Sequence, residues 1–266
     1  MASERLPGVY VRLANPSEHK AAARVLTRAF ARDPAMNWYG CVKEMVPDCN
    51  SSEPHAVQTI ERLHCFQTAI LKLTHLLGGV ITVAVIPQNG NSEDDQTKDN
   101  SGGQEKIVGV TLWLKPGQSL DFGLGILIRS GIYKVLYGWG IEGVKRVLIE
   151  FSPAVERTLE NAFNSRRKSR MDSWHLLEMV VDPVYEGKDF QGVCSIMMKE
   201  GFKRTEPKPV HLEATKARTR DIYARFGFEV DEEHQFGRGK VDTNGLKAKG
   251  EAATGYPEWV MTKVKP

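Results

Sequence analysis

The spacing of apolar positions along the chain predicts an alternation of strands and helices. Apolar residues at helical spacing predict helices at residues 21–30, 54–77, 193–201 and 216–226. Short apolar runs, several of them rich in β-branched residues, predict strands at residues 9–13, 80–86, 107–114, 175–181, 210–214, 230–236 and 259–264. This order is typical of an α/β (α+β) fold, in which helices flank a central sheet.

Two segments depart from that alternation. Residues 87–106 are polar and rich in Gly, Ser and Asp, which predicts a disordered loop; a solvated linker is favoured over a partner site. Residues 118–165 are apolar and contain many glycines, which predicts a helical insertion before the strand at 175–181. Arg129 and Lys134 interrupt this segment, so it lacks the run of about 18 apolar residues that a membrane span needs.

Composition narrows the class of protein. The 266 residues are 41% hydrophobic, enough for one sizeable core, and we expect a single domain over residues 1–266. A net charge of +3 is too balanced for a nucleic-acid scaffold. The first residues show no secretory signal, which favours a cytoplasmic protein with reduced cysteines. The seven histidines show no metal-ligand spacing, so no metal is expected.

The stretch from Trp174 to Val230 contains the sequence features that predict a functional site. Asp182-Pro183 ends a predicted strand because proline cannot donate to the sheet ladder. A turn rich in Gly and Lys follows, and a helix then begins near Val193. The first N–H groups of a helix have no internal partner and attract anions, so this turn predicts a site for a phosphorylated cofactor.

The sequence of this stretch resembles the GNAT superfamily of acyl-CoA-dependent N-acyltransferases. The matching pieces are VVDPVYEGK, LEAT and IYARFGFEV, in the family's order. LWLKPG at 112–117 and HLEAT at 211–215 resemble more narrowly the small-molecule acetyltransferases typified by puromycin N-acetyltransferase. The resemblance implies the GNAT fold, a mixed and mostly antiparallel sheet of about seven strands flanked by helices. It also implies acetyl-CoA as the acyl donor.

In such a protein, backbone groups of the predicted fourth strand bind the pantetheine arm, which assigns Met179, Val180 and Val181 to the cofactor. The turn that binds pyrophosphate would comprise Glu186, Gly187, Lys188, Asp189, Phe190, Gln191 and Gly192. Two alignments are open. One places Tyr185 to Lys188 on the family's Y-Q-G-K and puts Asp189 and Gln191 where the family has glycine. The other places Gln191-Gly192 at the start of the helix and lengthens the turn.

The resemblance also implies catalytic residues. Tyr223 aligns with the family tyrosine that donates a proton or hydrogen bond to the departing thiolate. Glu178, in mid-strand, is the candidate base, since burial raises the pKa of a carboxyl group; a structural carboxylate is the alternative. His175 should point to the opposite face of an ideal strand from Glu178, so the two would not share one site unless a bulge intervenes. Four aromatic residues are candidates for the acceptor pocket, with core packing as their alternative: Phe30, Trp38, Tyr137 and Trp139.

The hypothesis is therefore an acetyl-CoA-dependent N-acetyltransferase that acetylates the amine of a small molecule, such as a toxin or metabolite. It would be a monomer or homodimer without nucleic-acid or membrane partners. One alternative is a GNAT-fold protein that has lost acyl-CoA chemistry and binds a ligand or catalyses another reaction. Another is a protein acetyltransferase, against which the apolar insertion argues because it would close the acceptor side.

Overall fold

Seven strands form one sheet in the computed structural model, which describes residues 8–87, 105–119, 123–185 and 192–264, with the backbone alone at Leu124. Their spatial order is β1-β2-β3-β4-β5-β7-β6. The strands are β1 (Tyr10–Leu13), β2 (Val80–Pro87), β3 (Glu105–Leu114), β4 (Trp174–Val181), β5 (Val210–Ala214), β6 (Glu229–Phe236) and β7 (Tyr256–Lys263). Strands β4 and β5 run parallel, and the other neighbours are antiparallel. The mixed, mostly antiparallel sheet is confirmed.

Eight α-helices lie in the described part of the chain. They are α1 (His19–Phe30), α2 (Pro34–Tyr39), α3 (Pro54–Leu76), α4 (Leu124–Ser130), α5 (Val135–Lys145), α6 (Ser152–Ser165), α7 (Val193–Thr205) and α8 (Ala217–Arg225). A π-helical turn joins α5 to α6. Helices α4 to α6 precede β4, so the predicted helical insertion before the fourth strand is confirmed. The polar loop predicted after β2 lies outside the described residues, except that Glu105 and Lys106 belong to β3.

Each face of the sheet has its own core. On the first face, α1 and α3 bury Leu26 and Leu73 against Val83 and Leu112. On the second face, α7 contributes Met198 to a cluster with strand residues and with Tyr223 of α8. Leu26 and Leu112 are fully buried, so replacing either with alanine would cost about 2–5 kcal/mol. The sheet centre is therefore held rigidly between two helical layers.

Strand β7 begins at Tyr256, three residues before the predicted start. Pro257 made a strand unexpected there, because proline cannot donate a ladder hydrogen bond. The pairing of β7 with β5 stops at Trp259, so Pro257 has a strand partner on one side only, at Gln235 of β6. The missing N–H therefore leaves the β5 ladder intact.

Helix α2 occupies a segment that the sequence analysis treated as a loop. Its N-cap is Asp33, whose Oδ1 accepts hydrogen bonds from the backbone N–H groups of Ala35 (3.0 Å) and Met36 (3.4 Å). Pro34 occupies the first turn, where its lack of an N–H costs nothing. A helix of six residues is too short for helical periodicity to reveal, so only its cap signals it.

Candidate functional site

Strands β4 and β5 separate almost as soon as they pair. Two residue pairs join them, Trp174 with Val210 and His175 with His211. Beyond that point β4 continues along β3 as far as Val181, and β5 continues along β7. We call the opening beyond His175 and His211 the β4–β5 fork. Within the described residues, the β5-facing edge of β4 has no strand partner beyond His175, so backbone groups there are available to another molecule.

A bulge next to the fork places two polar side chains on one face of β4. Leu112 pairs with Glu178, whereas the next residue, Trp113, pairs with Leu176. Leu177 is therefore an extra residue on β4, and the usual alternation of side chains shifts by one. His175 and Glu178 would lie on opposite faces of an ideal strand, and the bulge is the exception that brings them to the same face.

Glu178 is buried on the first face, with 8% of its surface exposed. Burial raises the pKa of its carboxyl group to about 8, Gln67 of α3 offsets part of this shift by hydrogen bonding, and the charge of Asp33 adds to it. Glu178 Oε2 and Gln67 Oε1 have no hydrogen-bond partner among the described residues. Two buried acceptor atoms therefore lack a donor at this point of the site.

His175 lies within hydrogen-bonding distance of Glu213 of β5. The distance between His175 Nε2 and Glu213 Oε2 is 2.9 Å, and both side chains are largely buried. The ring of His175 stacks on that of His211, with centroids 4.4 Å apart. His211 Nδ1 lies 2.8 Å from Ser173 Oγ, and burial lowers the pKa of His211 well below its usual value. His211 is thus a neutral side chain that supports the ring of His175.

Tyr223 lies on α8 and is 4% exposed. Burial raises the pKa of its phenol, and the neighbouring groups Cys194 and Glu213 raise it further. The hydroxyl is therefore protonated at neutral pH and can donate a hydrogen bond. No described residue forms a hydrogen bond with it.

Asp33 connects α2 to the residues that directly follow β5. In addition to capping α2, it accepts a hydrogen bond from Thr215 Oγ1 at 2.6 Å through Oδ2. Lys216 Nζ lies 3.7 Å from the same oxygen. The sequence analysis did not identify Asp33, although a carboxylate before a proline is a recognisable N-cap.

Glu258 is a further buried carboxyl group that the sequence analysis missed. It lies on β7, is 1% exposed and accepts a hydrogen bond from Tyr256 at 2.9 Å. Burial raises its pKa well above the usual value, and the charge of Glu213 adds to this shift. Its signal in the sequence is one acidic residue within an otherwise apolar strand.

A cavity of about 290 Å³ lies between α2, α3 and α5. Its lining includes Ala31, Met36, Cys41, Arg62, Leu63 and Trp139. Met36 also contacts Gln67, since its sulfur lies 4.0 Å from Gln67 Nε2, so one residue separates the cavity from the partner of Glu178. The cavity therefore lies next to the buried pair of Gln67 and Glu178.

The four aromatic candidates for the acceptor pocket have different surroundings. Trp139 lines the cavity. Trp38 is fully buried and stacks on Phe236, and Phe30 is half-buried against the core between α1 and α3. Tyr137 is 87% exposed. The structure brings Trp139 to the cavity wall, whereas Trp38 is a core residue behind it and Tyr137 faces solvent.

The cofactor turn is only partly described. Residues 186–191 lie outside the described residues. Their contact with the pyrophosphate therefore stays a prediction under either alignment. Gly192 is described, with φ +112°, and α7 begins directly after it at Val193. No side chain in the described part caps this helix start. The start at Val193 favours the alignment that places Gln191-Gly192 at the helix.

Met179, Val180 and Val181 lie on β4 beyond the fork, paired on their other side with Thr111, Val110 and Gly109 of β3. In the described ranges, no group of His, Cys, Asp or Glu has the arrangement of a metal site. Among the helices of these ranges, none has the length and apolar content for crossing a bilayer.

Similarity in sequence is limited to part of the chain. An uncharacterized N-acetyltransferase of Schizosaccharomyces pombe is 31% identical over 127 residues, which is 46% of this chain and 47% of the relative. The chain thus matches about half the length of this curated relative. No protein-family model matches the chain.

Similarity in structure extends over the whole chain. A Corynebacterium glutamicum protein described as histone acetyltransferase HPA2 and related acetyltransferase has a TM-score of 0.53 and 19% identity, with 97% of each chain covered. Arylalkylamine N-acetyltransferase 2 from Aedes aegypti has a TM-score of 0.50 and 15% identity, with 96% of this chain and 98% of the other covered. At these identities the similarity concerns the fold.

Proposed function

Because this chain has the fold of the GNAT acetyltransferases, we propose that it is an acetyl-CoA-dependent N-acetyltransferase that acetylates the amine of a small molecule. The observation that carries the proposal is the β4–β5 fork, which leaves one edge of β4 unpaired between Glu178 on one helical layer and Tyr223 on the other. An extended donor molecule fits such an edge, and both side chains flank it.

The described residues fit the acyl donor at two points. Backbone groups of Met179, Val180 and Val181 would bind the pantetheine arm along the unpaired edge of β4. The uncapped N-terminus of α7, preceded by Gly192, would bind phosphate through its first N–H groups. Acetyl-CoA supplies an activated thioester carbonyl to this site.

The acceptor amine would be bound by the carboxyl groups on the first face, and its apolar part by the cavity. Among the described residues, no donor reaches Glu178 Oε2 or Gln67 Oε1, and an ammonium group brings three N–H donors. The wall formed by Met36, Leu63 and Trp139 suits a small apolar or aromatic body. The volume of about 290 Å³ is at the small end of ligand sites, which favours a small acceptor.

Glu178 is the proposed acceptor of the ammonium proton, since a protonated amine is not a nucleophile. Its raised pKa, about 8, makes it a stronger base than an exposed carboxylate when ionised. Tyr223 is the proposed hydrogen-bond donor to the departing thiolate, because burial keeps its hydroxyl protonated.

The test is acetyl transfer by purified protein from acetyl-CoA to a panel of amines, followed by mass spectrometry of the products. The panel should include arylalkylamines, for which the Aedes aegypti neighbour is named, together with alkyl diamines and a histone-tail peptide. We expect one class of small amine to gain a single acetyl group. Transfer to the peptide alone would overturn the small-molecule acceptor, and transfer to none of them would overturn the proposed activity.

A further inference from the structure

Acetylation of an ammonium group removes two protons from its nitrogen, and this inference rests on that proposed reaction. The first proton leaves before the nitrogen can attack, and Glu178 is placed to accept it. The second leaves after the bond between nitrogen and carbon forms, when the nitrogen carries a positive charge. Glu178 already holds a proton at that moment, so a second acceptor is required.

Glu213 is placed to be that acceptor. It lies on β5 two residues beyond His211, which belongs to the last pair before the fork. Its Oε2 is held by His175 at 2.9 Å, whereas its Oε1 is buried and has no hydrogen-bond partner among the described residues. One carboxylate oxygen is therefore fixed, and the other is free to accept a proton.

The position of Glu213 connects the two sides of the fork. Its charge acts on Tyr223 of the second helical layer and on Glu258 of the first face. Cys194, the other group that acts on Tyr223, is itself a thiol whose pKa burial raises to about 11, so it stays protonated. Glu213 is thus the carboxylate whose charge raises the pKa of Tyr223, from the opposite face of the sheet.

His175 is fixed from both sides. The bulge at Leu177 sets the face of β4 on which it lies, and His211 stacks on its ring at 4.4 Å. His211 is in turn held by Ser173 at 2.8 Å. This support prevents the His175 ring from turning away from Glu213, which makes His175 a positioning residue.

We infer that Glu213, oriented by His175, accepts the second proton from the acceptor nitrogen. The bond between nitrogen and the acetyl carbon forms, the bond between that carbon and sulfur breaks, and the sulfur leaves as a thiolate that accepts a hydrogen bond from Tyr223. The thiolate then takes the proton of Glu213, directly or through water. The sum is one ammonium and one thioester converted into one amide, one thiol and one proton, the last of which leaves from Glu178.

The first experiment replaces Glu213 with alanine and supplies formate or acetate ions. We expect kcat to fall about 100-fold, with acetyl-CoA affinity by calorimetry unchanged, and small carboxylate ions to restore part of the rate. A Glu156→Ala variant is the matched control, because Glu156 is an exposed carboxylate paired with Arg170 at 2.8 Å. Full activity in Glu213→Ala, or a loss that carboxylate ions do not restore, would overturn the inference.

The second experiment tests His175 as a positioning residue. His175→Gln retains a donor for Glu213, whereas His175→Phe removes it, so we expect kcat to be kept within a few-fold in the former and lost in the latter at similar KM. Nitrogen NMR of the free protein gives a readout without turnover: His175 Nε2 should carry a hydrogen that exchanges slowly in the wild type and rapidly in Glu213→Ala. Equal kcat in both His175 variants would overturn the assignment.

Failures of the two proposals are distinguishable. A wild-type protein that transfers no acetyl group contradicts the proposed function, whereas an active wild type with an active Glu213→Ala contradicts only this inference. If Glu213→Ala does not fold, Glu213→Gln, which keeps the volume and hydrogen bonding of the side chain, replaces it. That variant should retain the fold and lose kcat.

Discussion

Glu178 and His175 share one face of β4 because Leu177, between them, has no partner on β3. Without this bulge the two side chains would lie on opposite layers, one against α3 and the other against α7 and α8. The bulge therefore assembles the polar face of the site at the point where β4 leaves β5. Four predictions follow from the groups around it, in addition to those for Glu213 and His175.

Glu178 should make the stability of the protein depend on pH. The folded protein keeps a proton on Glu178 up to about pH 8, whereas the unfolded chain releases it near the ordinary pKa of a glutamate, 4.5. Its contribution to the free energy of unfolding is therefore full below that lower value and lost as the pH rises to about 8. Glu178→Gln should remove this loss, which amounts to at most about 1.4 kcal/mol for each unit of pKa shift.

Urea unfolding of wild type and Glu178→Gln between pH 5 and pH 8 measures the effect. The difference in stability should grow in favour of the variant as the pH rises. Glu156→Gln serves as the control for the same substitution at an exposed site, since the Glu156 side chain is 55% exposed. Parallel curves for wild type and Glu178→Gln would show that Glu178 has an ordinary pKa.

Tyr223→Phe should lower kcat by about 10-fold or more, because the departing thiolate loses its hydrogen-bond donor. The affinity for acetyl-CoA should change little, since the ring remains in its cluster beside Phe228. Tyr133→Phe is the matched control for loss of a hydroxyl, because Tyr133 lies between α4 and α5 and is 37% exposed. Unchanged turnover in Tyr223→Phe would remove this residue from the mechanism.

A large side chain in the cavity should weaken acceptor binding without affecting the donor. Thr59 of α3 lines the cavity, so Thr59→Trp should raise KM for the amine about 10-fold, equivalent to 1.4 kcal/mol. Val57 lies on the same helix and is 40% exposed, which makes Val57→Trp the control. If steady-state kinetics show equal KM in both variants, the acceptor does not occupy this cavity.

The loop at Gly245 should be required for the position of α2. A Cβ at Gly245 would collide with the Pro34 carbonyl oxygen, and Asn37 of α2 donates to Asn244 O at 2.9 Å. Gly245→Ala should therefore destabilise the protein by more than the roughly 1–2 kcal/mol that a positive φ costs alone. Gly239→Ala measures that cost, because Gly239 has φ +78° and open space around it. Equal melting temperatures of the two variants would contradict the contact.

The sequence predicts the strands and long helices well because their apolar spacing is regular. It selects Tyr223 through a motif and Glu178 through its place in mid-strand, and both roles stay proposals. It does not locate the bulge at Leu177, since a single inserted residue leaves the apolar run of β4 intact. The shared face of His175 and Glu178 therefore becomes visible only in the structure.

Asp33, Glu213 and Glu258 illustrate what sequence spacing cannot supply. They lie far apart in the chain and come together only when α2, β5 and β7 pack around the fork. Glu213 stands within the recognised LEAT piece, yet its pairing with His175 depends on the parallel register of β4 and β5. The sequence also does not distinguish core aromatic residues from those that line a cavity. Trp38 packs in the core and Trp139 lines the cavity, and only the packing of the folded chain separates them.

Isothermal titration of the purified protein with acetyl-CoA, with CoA and desulfo-CoA in parallel, tests the central claim most directly. The account predicts binding of acetyl-CoA in the micromolar range, near −8 kcal/mol, because in the described part of the chain β4 has an unpaired edge and no side chain caps α7. The variant Glu213→Ala should bind with the same affinity. Absence of binding for all three molecules would contradict the claim that this fork holds an acyl-CoA donor.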